Sequence, residues 1–139
     1  GIVLTGGTSS EQPVKGVPSK GAFLRPTVID GLSHTSRTAT EEIFGPVVTL
    51  HPFSTEDEAV EMANCTDYGL AGSVWTADSA RGHAFAKRLD TGIVWVNTWL
   101  NRDLRTPFGG VKQSGVGREG GSWSLNFFSE LTNICVQNP

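Results

Sequence analysis

The most constraining feature of this sequence is the way its apolar spacing alternates between residues 47 and 96. Val47-Val48-Thr49-Leu50 is a short β-branched run. Thr55-Glu56-Asp57-Glu58 then opens a helix as a capping box, because the Thr55 side chain can accept from the N–H three residues on while Glu58 reaches back. That helix sets Ala59, Met62 and Ala63 on one face and finishes near Tyr68-Gly69. Residues 70–75 return to strand. Asp78 caps a second helix whose buried stripe is Ala84, Phe85 and Leu89, and Gly92 is expected at its C′ position. Ile93-Val94-Trp95-Val96 reads as a buried strand. Strands separated by crossover helices pair in parallel, so the expected class is α/β, a parallel sheet with flanking helices. With 139 residues the chain can build one domain with a core but not two ordinary ones.

The flanks add shorter elements. Residues 2–5 read as a strand ending at Gly6-Gly7, residues 8–13 as a turn or surface loop, and residues 23–29 as a strand that Pro26 confines to an edge or a bulge. Residues 31–40 form a solvated connection. Residues 117–130 can form a helix burying Trp123, Phe127 and Phe128, and Leu131-Thr132-Asn133-Ile134-Cys135-Val136 reads as a closing strand. A terminal strand without a following partner is a candidate for pairing with another subunit. The opening Gly1-Ile2-Val3-Leu4 is already strand-like and lacks an initiator Met, so the chain is expected to be part of a longer protein.

Charge excludes some partners. The net charge of -3 argues against a general nucleic-acid or anionic-membrane surface. No apolar run approaches the ~18 residues of a membrane span. Cys65 and Cys135 are too few for a disulfide framework and suit a reducing compartment, and each reads as a small buried residue rather than a reactive thiol. His34, His51 and His83 have no ligand spacing, so no metal is expected.

Beyond Val96 the pattern stops. Residues 97–119 carry no period of 2 or 3.6, yet Trp99, Leu100, Leu104 and Phe108 supply apolar anchors, so this stretch reads as an ordered, site-forming loop. It leaves the carboxyl end of a strand, where ligands collect in α/β sheets. Gly115-Val116-Gly117-Arg118-Glu119-Gly120 matches G-x-G-x-x-G, but no apolar strand leads into it, so a dinucleotide fingerprint is rejected. Arg102 and Arg105 flank Asp103: they are either surface ion-pair partners or a bidentate clamp on a carboxylate. Glu41 and Glu42, beside Phe44 and the Gly45-Pro46 turn, are either a solvated pair or acceptors for a ribose diol.

Three segments together resemble the aldehyde dehydrogenase family: Glu41-Glu42-Ile43-Phe44-Gly45-Pro46-Val47, Tyr68-Gly69-Leu70-Ala71-Gly72-Ser73-Val74-Trp75, and Pro107-Phe108-Gly109-Gly110-Val111-Lys112-Gln113-Ser114-Gly115-Val116-Gly117-Arg118-Glu119. The resemblance covers nearly the whole chain and places it in the C-terminal part of such an enzyme. Residues 1–130 would be part of the catalytic domain and 131–139 the oligomerisation strand and tail. The implied chemistry is attack of a cysteine on an aldehyde, hydride transfer to NAD, with NADP left open, and thioester hydrolysis by a glutamate-activated water. In that reading Glu42 holds the nicotinamide ribose, Phe44 packs beside the nucleotide, and Phe108 walls the substrate tunnel. The glycines after Phe108 shape the backbone.

The nucleophile, the general base and the oxyanion-hole asparagine are expected to precede Gly1, so this chain alone should be inactive. Residues 99–106 are similar to the branch acting on 2-hydroxymuconic or 2-aminomuconic semialdehyde, whose carboxylate gives Arg102, or as second choice Arg105, a reason to face substrate. The implied whole is a cytoplasmic homo-oligomer, dimer or tetramer, active on a small aldehyde. Two alternatives stay open: an enzyme for uncharged or amino aldehydes, or a non-catalytic assembly fragment.

Overall fold

The computed structural model describes residues 1–7, 15–18, 21 and 23–138; the turn expected at residues 8–13 lies outside the described residues. The chain forms two compact units, Gly1–Thr66 and Asp67–Pro139.

In the first unit β1 (Ile2–Thr5) runs antiparallel to β2 (Thr27–Asp30), and β2 runs parallel to β3 (Val47–Thr49). Thr27, on the central strand, is buried, and its hydroxyl is satisfied: Oγ1 donates to the Arg25 carbonyl at 2.7 Å and accepts from Gly7 N–H at 2.8 Å. The strand expected at residues 23–29 therefore starts later. Pro26 has no N–H to give to a ladder, and pairing begins at Thr27, whose N–H donates to Pro46 O. A one-turn helix, α1 (Arg37–Thr40), and α2 (Glu56–Asn64) complete the unit. The expected cap of α2 is present, since Glu58 N–H donates to Thr55 Oγ1 at 3.2 Å, while Glu58 Oε2 reaches back to Ser54 N–H.

The second unit holds the β-α-β core that the alternation predicts. β4 (Tyr68–Gly69) is followed by β5 (Ala71–Val74), α3 (Ser79–Ala86) and β6 (Ile93–Val96). β5 and β6 are parallel, with Val74 opposite Val96, so both strands end at the same edge. Asp78 caps α3 by accepting from Arg81 N–H at 3.0 Å. Trp95 is the buried large apolar side chain of this unit, 7% exposed. After β6 the chain runs to β7 (Val111–Lys112), antiparallel to β4, and to α4 (Gly121–Phe128).

Several expectations are corrected. The α/β class holds, but the strands are divided among sheets of three, two and two strands rather than one. α3 ends at Ala86, and Gly92 is not its C′ residue; a Cβ at Gly92 would lie 1.7 Å from the Gly109 carbonyl oxygen, so glycine is required by close approach. Ala84 is exposed, and the fully buried residue of α3 is Gly82. α4 is shorter than predicted, and Trp123, Phe127 and Phe128 are exposed because no described element covers that face. Residues 131–136 form no strand, since β-branched residues make a ladder only where a partner strand supplies one. Cys65 and Cys135 are exposed rather than buried. Among the described residues no helix is long and apolar enough to cross a membrane.

Candidate active site

The loop after β6 is tied down at successive points. Asn97 takes a left-handed backbone (φ 54°), which Asn tolerates. Its side chain brackets Thr76, accepting from the Thr76 N–H and donating to the Thr76 carbonyl, both at 2.8 Å. This fastens the loop to the end of the neighbouring strand. Four residues later the Trp95 indole N–H donates to the Asn101 carbonyl at 2.7 Å, and Trp99 packs edge-on against Trp95 at 4.9 Å. The far end closes on itself, with Phe108 and Glu119 exchanging two backbone hydrogen bonds of 2.8 Å.

These fixings separate the two arginines. Arg105 is gripped by its neighbour: Nε and Nη2 donate to both Asp103 oxygens, and its backbone N–H donates to Asp103 Oδ1 at 2.9 Å. That arginine, 87% exposed, turns outward. The hydrogen bonds from the Arg105 side chain, then from its backbone N–H, hold the Asp103 carboxyl below the usual carboxylate range, and the side-chain bonds push the Arg105 guanidinium up. Arg102 lies differently. Its Cζ sits 3.9 Å over the centre of the Phe108 ring and its Nη2 donates to Glu119 Oε1 at 3.1 Å, leaving its side chain 31% exposed. A guanidinium stacked on a ring face gains about 0.5–1 kcal/mol at a partly exposed site. The structure thus brings Arg102 and Phe108 together and keeps Arg105 apart.

A cavity of about 320 Å³ opens beside this cluster, bordered by Phe108, Val116, Arg118, Glu119, Phe127 and Phe128. The glycines of the turn serve its closure: a Cβ on Gly110 would strike the Ser114 backbone at 2.7 Å. Arg118 Nη1 donates to the carbonyls of Gly110 and Gly117. These glycines are consumed by the chain's own contacts, which agrees with a backbone-shaping role.

In the first unit, Glu41 and Glu42 also part company. The Arg37 guanidinium forms two hydrogen bonds to Glu41, of 2.7 and 2.9 Å, and these hold the Glu41 carboxyl below its ordinary range. Glu42 has no partner among the described residues. Phe44 is 93% exposed and left-handed, φ 54°, an uncommon conformation for a bulky residue. An unengaged carboxylate two residues from an outward aromatic ring fits a ribose diol and the nucleotide attached to it. The Cys65 thiol donates to the Met62 carbonyl at 3.0 Å and to the His34 carbonyl at 3.8 Å. Among the described residues no cluster of His, Cys, Asp and Glu could hold a metal ion.

Sequence reasoning missed Glu119, Asn97 and Trp95 as supports of this site. A buried indole needs a hydrogen-bond acceptor, and that requirement was the available signal for Trp95. Nothing in the spacing announces the Arg102–Glu119 contact.

An α/β unit whose long loop leaves a strand's carboxyl end and carries the Pro107-Phe108-Gly109-Gly110 turn defines a class, and comparison supports it. Residues 1–134 match the aldehyde dehydrogenase family, and this chain belongs to that family. It is 53% identical over 135 residues to a 2-hydroxymuconic semialdehyde dehydrogenase of Pseudomonas sp. (strain CF600), covering 97% of this chain and 27% of that protein. It is 56% identical over 117 residues to a 2-aminomuconic 6-semialdehyde dehydrogenase of Pseudomonas sp., covering 84% of this chain and 24% of the relative. The crystal structure of Mycobacterium tuberculosis aldehyde dehydrogenase complexed with NAD+ superposes with a TM-score of 0.82 at 39% identity, over 92% of this chain and 25% of that one. The chain therefore spans about a quarter of the length of the curated relatives it matches.

Proposed function

We propose that this chain forms part of an NAD-dependent aldehyde dehydrogenase that oxidises a carboxylate-bearing semialdehyde, of the 2-hydroxymuconic or 2-aminomuconic type, to the dicarboxylate during aromatic-compound degradation. The observation that carries this reading is the placement of Arg102, stacked on Phe108 and bonded through Nη2 to Glu119, two residues that both line the cavity. Arg102 binds the substrate carboxylate, and Phe108 supplies the wall along which the carbon chain lies. Glu42 accepts hydrogen bonds from the nicotinamide ribose hydroxyls and Phe44 packs beside the nucleotide. NAD, when bound, accepts the hydride from the oxidised carbon. In this reading the thiol that attacks the aldehyde belongs to a segment outside these residues. Residues 131–139 contribute to a cytoplasmic homo-oligomer, a role in keeping with the exposed Leu131, Ile134 and Val136 and with both cysteines being free.

One charge-assisted bidentate pair contributes about 2–3 kcal/mol of discrimination. In the full-length enzyme, R102A should therefore lower the ratio of kcat/KM for the acidic aldehyde to that for a neutral one by about 30- to 150-fold. Equal losses on the two substrates would overturn the carboxylate reading in favour of an uncharged or amino aldehyde. Saturable turnover by the purified 139-residue chain would overturn the placement of the nucleophile.

A further inference from the structure

We infer that Trp95 is a specificity-positioning residue: it sets Arg102 for the substrate carboxylate through the carbonyl of the residue immediately before it. This rests on the reading of Arg102 given above. Trp95 lies on β6 with its ring buried at 7% exposure, so its position is fixed by the sheet: it pairs with Ser73 across the parallel ladder. Its Nε1 reaches out of that fixed frame to Asn101 O at 2.7 Å. The Asn101 carbonyl and the Arg102 N–H belong to one rigid peptide plane, so anchoring that oxygen fixes where the Arg102 Cα begins. Neighbouring Leu100 is left-handed, φ 58°, a conformation that persists in a bulky residue only where its surroundings hold it. The Trp95 hydrogen bond lies one residue from that strained position and holds it.

The side chain of Arg102 is then constrained from two further sides, by the Phe108 ring beneath and the Glu119 carboxylate at Nη2. Those two contacts orient the guanidinium but do not determine where its stem starts. With the indole bond absent, residues 98–104 are still held by the Asn97–Thr76 bracket, the Trp99–Trp95 ring contact and the Asp103 turn, but none of these fixes the Asn101–Arg102 peptide plane, and Arg102 loses its register against the ring.

The test uses the full-length enzyme, an acidic and a neutral aldehyde of similar length, and two replacements of Trp95. W95F removes the indole donor and some ring area; site-specific benzothienylalanine keeps the ring shape and removes the N–H alone. Each is expected to lower the acidic-to-neutral ratio of kcat/KM by about fivefold, the equivalent of one neutral hydrogen bond. The loss should appear in KM for the acidic substrate. In an R102A background the same replacements should leave the ratio where R102A alone puts it, because the effect passes through Arg102. A benzothienylalanine variant with an unchanged ratio, or one that lowers it equally with and without Arg102, overturns the inference. Failure of R102A itself to change the ratio overturns the underlying carboxylate reading instead, so the two failures are distinguishable. If W95F proves too unstable to assay, the isosteric variant carries the measurement.

Discussion

Each unit of this chain contains a doublet of like charges, and the two are resolved in parallel ways with different results. In the first unit Arg37 takes Glu41 and leaves Glu42. In the second, Asp103 takes Arg105 and leaves Arg102. In both cases a charge close in sequence neutralises one member of the doublet, Glu41 by Arg37 four residues back and Arg105 by Asp103 two residues back. The remaining members differ: Glu42 has no partner among the described residues, whereas Arg102 rests on a ring and touches a carboxylate. The difference follows from what each would bind. A carboxylate that receives two hydroxyls needs its lone pairs open, whereas a guanidinium carries about 2 kcal/mol of rotamer entropy, and holding it beforehand reduces the cost of ordering it on binding.

The comparison is sharpened most by R102A, whose expected 30- to 150-fold change in substrate ratio is the largest effect. Next comes E42Q, which should lower kcat/KM for NAD by about tenfold while E41Q changes it less than about twofold. Equal losses from the two would erase the distinction within the acidic doublet. R105A should move the acidic-to-neutral ratio less than about twofold; a loss comparable to that of R102A would reassign the clamp.

The smallest effect is a titration. The Asp103 carboxyl is held below the usual range by Arg105. Its contribution to loop order is therefore complete above the ordinary carboxylate range and is lost as pH falls through the lowered value. Carboxyl NMR should show Asp103 titrating low, and R105A should return it to the ordinary range. An unchanged Asp103 titration in R105A would break the assignment of that pair.

Local signals made much of this legible. The Thr55 and Asp78 caps follow from a short side chain placed before a helical stripe, and β6 follows from an apolar, β-branched run. The family motifs single out Glu42, Phe44 and Phe108 by position, and their roles rest on the proposal. Signals that depend on distant partners failed. Gly92 looked like a helix stop, but its constraint comes from Gly109. Residues 131–136 have strand propensity without a partner strand among the described residues. Loop position ranked Arg102 ahead of Arg105, but the contacts that set the two apart were not legible, because Glu119 and Phe108 are brought in from farther along the loop.

The short ladder between β4 and β7 has a consequence in time. It joins the site loop to the rest of its unit with two residue pairs, Tyr68–Lys112 and Gly69–Val111, and a Gly69 N–H to Ser114 Oγ bond spanning 45 residues. The β5-α3-β6 core closes over a shorter stretch and through a longer ladder. Contacts with greater sequence separation form later, and small exposed ladders open at lower free energy. The loop proposed to recognise substrate is thus expected to assemble after the β5-α3-β6 core and to release before it. On warming, selectivity for the acidic aldehyde should fade while the β5–β6 amides are still protected from exchange, so the enzyme would lose its discrimination before it loses its fold.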